Sequence, residues 1–140
     1  MKFHLKTGRI EKATRYSAAF DLFYVGKEPI ILGPTLPKAI PTGVTAVFDP
    51  DMVCIIKERS GLSLREENVR VKAGVIDSDF RDEWKVIMVS DRAFTIDPGM
   101  KIAQFIMVEL PYVVMTNDYG CSAIIYKNQE RDGGFGSTGN

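Results

Sequence analysis

Histidine and cysteine are almost missing from this chain: its 140 residues hold one histidine and two cysteines. A single imidazole, His4, cannot build a multi-histidine metal centre, and its place in a strand-like pattern gives it a structural or surface role. Two thiols, Cys54 and Cys121, are too few for a disulfide scaffold or a cysteine-rich zinc site. Both sit in ordinary hydrophobic stretches and are expected to be reduced and structural. Excess charge is missing too, since 18 Lys and Arg balance 18 Asp and Glu. Bulk electrostatics therefore give no reason to wrap DNA or RNA or to lie on an anionic membrane, and neither is expected as a direct partner. A small local phosphate site is compatible with that balance. No stretch approaches the roughly 18 apolar residues of a membrane span, and MKFHLKTGRIEKATR has no signal-type apolar run. A cytoplasmic location is the expectation, in the host's cytoplasm if the source is viral. Neither a GxxxxGK loop nor a strand-linked GxGxxG occurs, so P-loop hydrolysis and dinucleotide binding have no support.

What is present suits one compact β domain. A length of 140 residues with 45% hydrophobic and 26% charged side chains fills a single core and leaves little room for a second. In NVRVKAGVID, Val69, Val71, Ala73 and Val75 fall on one face and Arg70 and Lys72 on the other, the period of two of a half-buried strand. WKVIMV alternates in the same way, with Trp84, Val86 and Met88 opposing Lys85, Ile87 and Val89, both faces substantially buried. Further β-favouring runs are KFHL, TAVF, MVCIIK, KIAQFIMVEL, YVVM and SAIIY, with the prolines falling mainly between them. SGLSLREENV invites one short helix, with Ser60 or Ser63 as its cap. An all-β sandwich or barrel is predicted, with no internal repeat and no linker.

Three segments carry candidate chemistry. In ERSGLS, Arg59 offers a fixed fork of donors, Ser60 a hydroxyl, and Gly61 a place where backbone amides approach an anion closely. In GVIDSDFRDE, Asp77, Asp79, Asp82 and Glu83 crowd around Arg81; such a cluster reads either as a solvated strand end or as a carboxylate that takes a proton from water beside a hard cation. The tail NQERDGGFGSTGN has no strand or helix period and is expected to be a mobile arm. Its lone aromatic, Phe135, lacks apolar neighbours to pack with and suits stacking on a planar ligand such as a nucleobase. Gly136, Ser137 and Thr138 then offer amides and hydroxyls to phosphate oxygens. Any metal should be Mg²⁺, held mainly through phosphate and water oxygens.

In that order the segments resemble the homotrimeric dUTP diphosphatase family. AAFDL, RSGLS, GVIDSDF, GMKIAQF and RDGGFGSTG look like its five motifs, spread over nearly the whole chain. The resemblance implies a distorted jelly-roll β-barrel or sandwich spanning residues 1–128, with residues 129–140 as a glycine-rich arm. It also implies a three-fold trimer with sites at subunit interfaces, closed by the arm of another subunit. The implied reaction is hydrolysis of dUTP to dUMP and pyrophosphate with Mg²⁺.

Carried onto this sequence, Asp77 looks like the carboxylate that activates the attacking water. Phe80 takes the place of an aromatic that packs on deoxyribose and leaves no room for a 2′-hydroxyl. Arg59, Ser60 and Gly61 resemble the motif-two phosphate contact, and Gln104 the motif-four residue that reaches the phosphates. Asp21 matches the aspartate that supports the metal's water shell, an indirect contact. Phe135 matches the aromatic that caps uracil, with Gly136, Ser137 and Thr138 near the phosphates. Uracil is expected to meet backbone groups between Asn68 and Phe80. The chain departs from the family pattern at Ala19, Phe20, Phe80 and Asp82. Arg131 stands one residue nearer the tail aromatic than is usual, with Glu130 in the customary place, and is the candidate γ-phosphate clamp. Alternative readings are a nucleotide-binding regulatory or protein-interaction domain, whose protein partner the sequence does not identify, and a dCTP deaminase-type enzyme. The complete glycine-rich tail argues against the deaminase.

Overall fold

The computed structural model describes residues 2–113, 116, 118 and 119. In chain order they form β1 (Phe3–Thr7), β2 (Ile10–Lys12), β3 (Phe20–Phe23), β4 (Ile30–Leu32), β5 (Lys38–Pro41), β6 (Thr45–Phe48) and β7 (Met52–Lys57). A single helical turn, α1 (Ser60–Ser63), precedes β8 (Arg70–Ala73), β9 (Val75–Ile76), β10 (Lys85–Val89), β11 (Phe94–Ile96) and β12 (Lys101–Glu109). The expected all-β, jelly-roll-type class is the one observed. The largest sheet has five strands in the order β2-β3-β12-β7-β9; β5-β10-β8 form a second sheet, and β1-β6 and β11-β4 form two ribbons. Every pairing is antiparallel.

The pleat explains where the core sits, because alternate side chains of a strand leave opposite faces. In β7, Met52, Cys54 and Ile56 are buried while Val53 and Ile55 are half-buried. In β10, Val86 and Met88 are buried, as is Trp84 just before the strand. Trp84 meets Phe105 edge to face, with ring centroids 5.3 Å apart, and Phe105 stacks on Phe20 at 5.2 Å. These aromatics tie β10 to β12 and β3 and form the centre of the core.

β12 breaks the alternation once. Ile102 and Ala103 are both buried, and the register against β3 shifts between Lys101 and Ala103, so that Lys101 faces Phe23 and Ala103 faces Leu22. This is a β-bulge, one extra residue in one strand. Residues an even number apart normally share a face, whereas Lys101 and Gln104 are three apart. The bulge brings them to the same side of the sheet.

Three expectations need correction. Ala73 and Val75 do not continue the buried face of Val69; both are exposed, Val75 at 68%. The register against β10 shifts between Val71 and Ala73, and beyond Gly74 the run pairs with β7 instead, so the inward phase is not carried across. Neither Ser60 nor Ser63 caps α1. Arg59 holds the N-cap position without a side-chain cap, Ser60 is the first helical residue, and the Ser63 hydroxyl donates back to the Arg59 carbonyl at 3.4 Å. Tyr112 and Val113 lie outside any strand. The rest of YVVM and all of SAIIY lie outside the described residues, as does Cys121. Cys54 is buried and free of any disulfide, and burial pushes its thiol pKa far up.

Candidate active site

Antiparallel pairing lines up a polar row across the middle of the five-stranded sheet. Glu11 of β2 faces Asp21 of β3, Asp21 faces Gln104 of β12, and Gln104 faces Lys57 of β7. Directly paired residues share a face, so four short strands deliver these side chains to one surface. β7 then runs through Glu58 into Arg59. The Gln104 side-chain amide donates to the Glu58 carbonyl at 2.8 Å, which fixes the strand exit from which Arg59 projects.

Asp21 is the hub of this surface. The residue is only 8% exposed, and a buried carboxylate needs charged partners. It has two. The Arg59 Nε donates to Oδ1 at 3.0 Å, and the Lys101 ammonium donates to Oδ2 at 2.8 Å. Lys101 also pairs with Glu11 at 3.2 Å, and Glu11 is gripped in turn by Arg9. Charges therefore alternate from Arg9 through Glu11, Lys101 and Asp21 to Arg59. The hydrogen bond that Lys101 donates to Asp21, then that to Glu11, raises the Lys101 pKa above its ordinary value; Arg9, then Lys101, lowers that of Glu11. The Arg9 guanidinium and the Lys101 ammonium also lie over the Phe23 ring, 4.3 and 5.4 Å from its centroid.

The Arg59 carbonyl accepts the Leu62 and Ser63 amides at 2.9 and 3.1 Å, so the helical turn starts at the arginine itself. Leu62 anchors the turn in the core, while Ser60 and Gly61 are exposed. A Cβ placed on Gly61 would meet no atom within 4 Å, so the space over this backbone is open.

Asp77 stands elsewhere. It follows β9 and opens a turn closed by the Phe80 amide donating to the Asp77 carbonyl at 3.1 Å. Arg81 braces that turn by donating to the Ser78 carbonyl at 2.7 Å. Asp77 is exposed and Phe80 is buried at 7% exposure, joined to the core. β9 is laid tightly on β7: the Ile56 amide donates to the Gly74 carbonyl at 2.6 Å, and a Cβ on Gly74 would lie 2.5 Å from the Ile56 carbonyl oxygen. Cys54 faces Ile76 and Ile55 faces Val75; continuing that register puts Asp77 beside Val53. Lys57 lies four residues further along β7, about 13 Å at ~3.3 Å per residue, with Arg59 beyond it. Within one chain the fold gathers Asp21, Arg59 and Gln104, with Ser60 and Gly61 adjoining, and keeps Asp77 apart from them. Arg131, Phe135, Gly136, Ser137 and Thr138 lie outside the described residues.

Sequence reasoning missed Arg9, Glu11 and Lys101. Lys101 stands within GMKIAQF and so carried a signal, whereas Arg9 and Glu11 lie in no motif. Among the described residues, no group of three His, Cys, Asp or Glu side chains is placed to hold a metal ion. Both Asp21 oxygens already face cations, which fits an outer contact through water and not direct ligation.

An antiparallel β fold with a basic fork beside open hydroxyl and amide groups defines an all-β protein equipped for a phosphate-bearing ligand. The dUTPase family model matches residues 6–139, and the chain belongs to that family. It is 33% identical over 132 residues to the deoxyuridine 5′-triphosphate nucleotidohydrolase of Rickettsia conorii, covering 92% of this chain and 86% of that one. The corresponding Rickettsia canadensis protein is 37% identical over 131 residues, covering 91% and 85%. Among solved structures, a Staphylococcus bacteriophage 80alpha dUTPase variant with dUpNHpp superposes with a TM-score of 0.75 at 18% identity, covering 99% of each chain. A dUTPase variant from phage phi11 of S. aureus, described with a structural Mg(II) ion, gives 0.74 at 16% identity over 84% of this chain and 96% of that one. The protein is a nucleotide hydrolase acting on dUTP.

Proposed function

We propose that the protein cleaves dUTP to dUMP and pyrophosphate at sites shared between the subunits of a trimer, with Asp77 activating the attacking water. The reading is carried by one observation: the Asp21–Arg59–Gln104 group and Asp77 lie at opposite ends of β7. A second copy must bring its Asp77 turn to the phosphate-binding face of the first, and closed rotational symmetry satisfies every copy alike. Arg59, the Ser60 hydroxyl and the Gly61 backbone then face the triphosphate. Gln104 has a second amide proton to offer beyond the one held by Glu58. Asp77, exposed at the head of its turn, orients water for in-line attack on the α-phosphorus and takes its proton. Phe80 closes the space beside the sugar, where a 2′-hydroxyl would collide, and supplies no phenolic oxygen.

Residues 129–140 act as an arm, placing Phe135 on uracil and Arg131, Gly136, Ser137 and Thr138 along the phosphates. Magnesium would be brought by the phosphates, with Asp21 as the residue that would support its water shell, and would supply neutralisation of the triphosphate charge. The protein works in the cytoplasm, and any regulatory protein partner is unidentified. The test is pyrophosphate release from dUTP with Mg²⁺, beside UTP, dTTP and dCTP, for the wild type and Asp77→Asn at matched oligomer concentration. Strong dUTP preference, reduced about 10²-fold or more by the substitution, is expected. An intact, Mg²⁺-supplied oligomer without turnover would sink the reading.

A further inference from the structure

The two cations on Asp21 do not compete for it; they divide it. An arginine beside a carboxylate ordinarily uses two parallel N–H groups on the two oxygens. Here Lys101 occupies Oδ2, and Arg59 reaches only Oδ1, through Nε. Its Nη1 makes a long 3.5 Å contact to the Lys101 carbonyl, and Nη2 makes no hydrogen bond to another described residue. The fork is thus tethered at its stem while its tip stays available.

We propose that Lys101, anchored by Glu11, is a positioning residue for substrate phosphate: by holding Oδ2 it denies Arg59 the two-bond grip and keeps the guanidinium tip turned to the ligand. The inference rests on the function proposed above. Three features put Lys101 there. The bulge at Ile102 places it on the Asp21 face, Glu11 holds its ammonium from the far side at 3.2 Å, and Phe23 lies beneath it. Arg9 secures Glu11 in turn. Without Lys101, Asp21 keeps a single cationic partner, and Arg59 closes on both oxygens, spending Nη2 on the protein. Phosphate affinity then falls while the water-activating machinery, on another element, is untouched.

The experiment compares kcat and KM for dUTP, and inhibition by inorganic pyrophosphate, in the wild type, Lys101→Met, Lys101→Arg and Glu11→Leu, with thermal midpoint and oligomeric state recorded for each. Lys101→Met should raise KM and the pyrophosphate inhibition constant about tenfold, the loss of one charge-assisted hydrogen bond, with kcat nearly unchanged. Lys101→Arg, which again fills Oδ2, should restore most of the affinity. Glu11→Leu, on an exposed edge strand, should give a smaller rise of the same kind and carries the test if Lys101→Met does not assemble. A folded Lys101→Met enzyme with wild-type KM overturns the inference, as does an equal KM rise in Lys101→Arg. Wild-type protein inert towards dUTP would instead overturn the functional reading.

Discussion

Mixing two defective chains tests whether Asp77 and Arg59 meet across copies. Asp77 leaves β9 beside Val53, and the strand runs ~13 Å further before Lys57, so on the proposed function the Asp77 and Arg59 that serve one triphosphate come from different chains. Asp77→Asn oligomers and Arg59→Ala oligomers each lack a complete site. When equal amounts are unfolded and refolded together, a site is whole only if its Asp77 comes from the Arg59→Ala chain and its Arg59 from the Asp77→Asn chain. Random assortment makes both true in about one site in four for a closed ring with sites between chains. Isolation through two different tags removes the uniform oligomers, and every mixed trimer keeps one whole site in three, so dUTP turnover by the isolated mixed trimers should return to about a third of the wild-type rate. Sites contained within single chains would give no return, because every chain carries one lesion. Mixed oligomers of verified composition with no recovered turnover would refute the reasoning.

Other consequences are simpler to measure. Gly74→Ala should lower the thermal midpoint, because the new methyl lies 2.5 Å from the Ile56 carbonyl oxygen and overpacking of this kind costs about 1–3 kcal/mol; it should also lower kcat by displacing Asp77. Glu11 has a lowered folded pKa, so its stabilising contribution is present above the ordinary glutamate value of 4.5 and is lost as pH falls through the folded value. Lys101, raised above 10.5, behaves oppositely, contributing below that value and losing its contribution as pH rises through the folded one. The difference in thermal midpoint between wild type and Glu11→Gln should therefore hold through neutral pH and shrink in strong acid; an unchanged difference there would contradict the network. Cys54 should resist alkylation in the native protein and react on unfolding, since its thiol is buried and its ionisation suppressed.

Legibility in the sequence followed element length and partner number. MVCIIK shows its alternation because β7 has six residues and one consistent core face. β2, β4 and β11 have three residues each, too few to display a period of two against the surrounding loops. NVRVKAGVID misleads for another reason: its pattern is continuous, but its two halves belong to different sheets. At the site, Asp21, Arg59 and Gln104 stood in recognisable motifs, and pairing brings all three together. Their connection to Lys101 and Glu11 was invisible, because it depends on a register shift and on an edge strand whose neighbour is set by tertiary pairing.

The bulge at Ile102 sets how the site responds to counting as well as to chemistry. Another apolar residue at this position preserves the offset between Lys101 and Gln104. Removing the residue leaves Lys101 two positions before Gln104, so plain alternation keeps both on the same outer face. The bulge is therefore slack in the strand: a deletion here costs the core one buried isoleucine and spares the polarity of the sheet, whereas the same deletion in β7, whose register against β12 is unbroken, would exchange that strand's inner and outer faces.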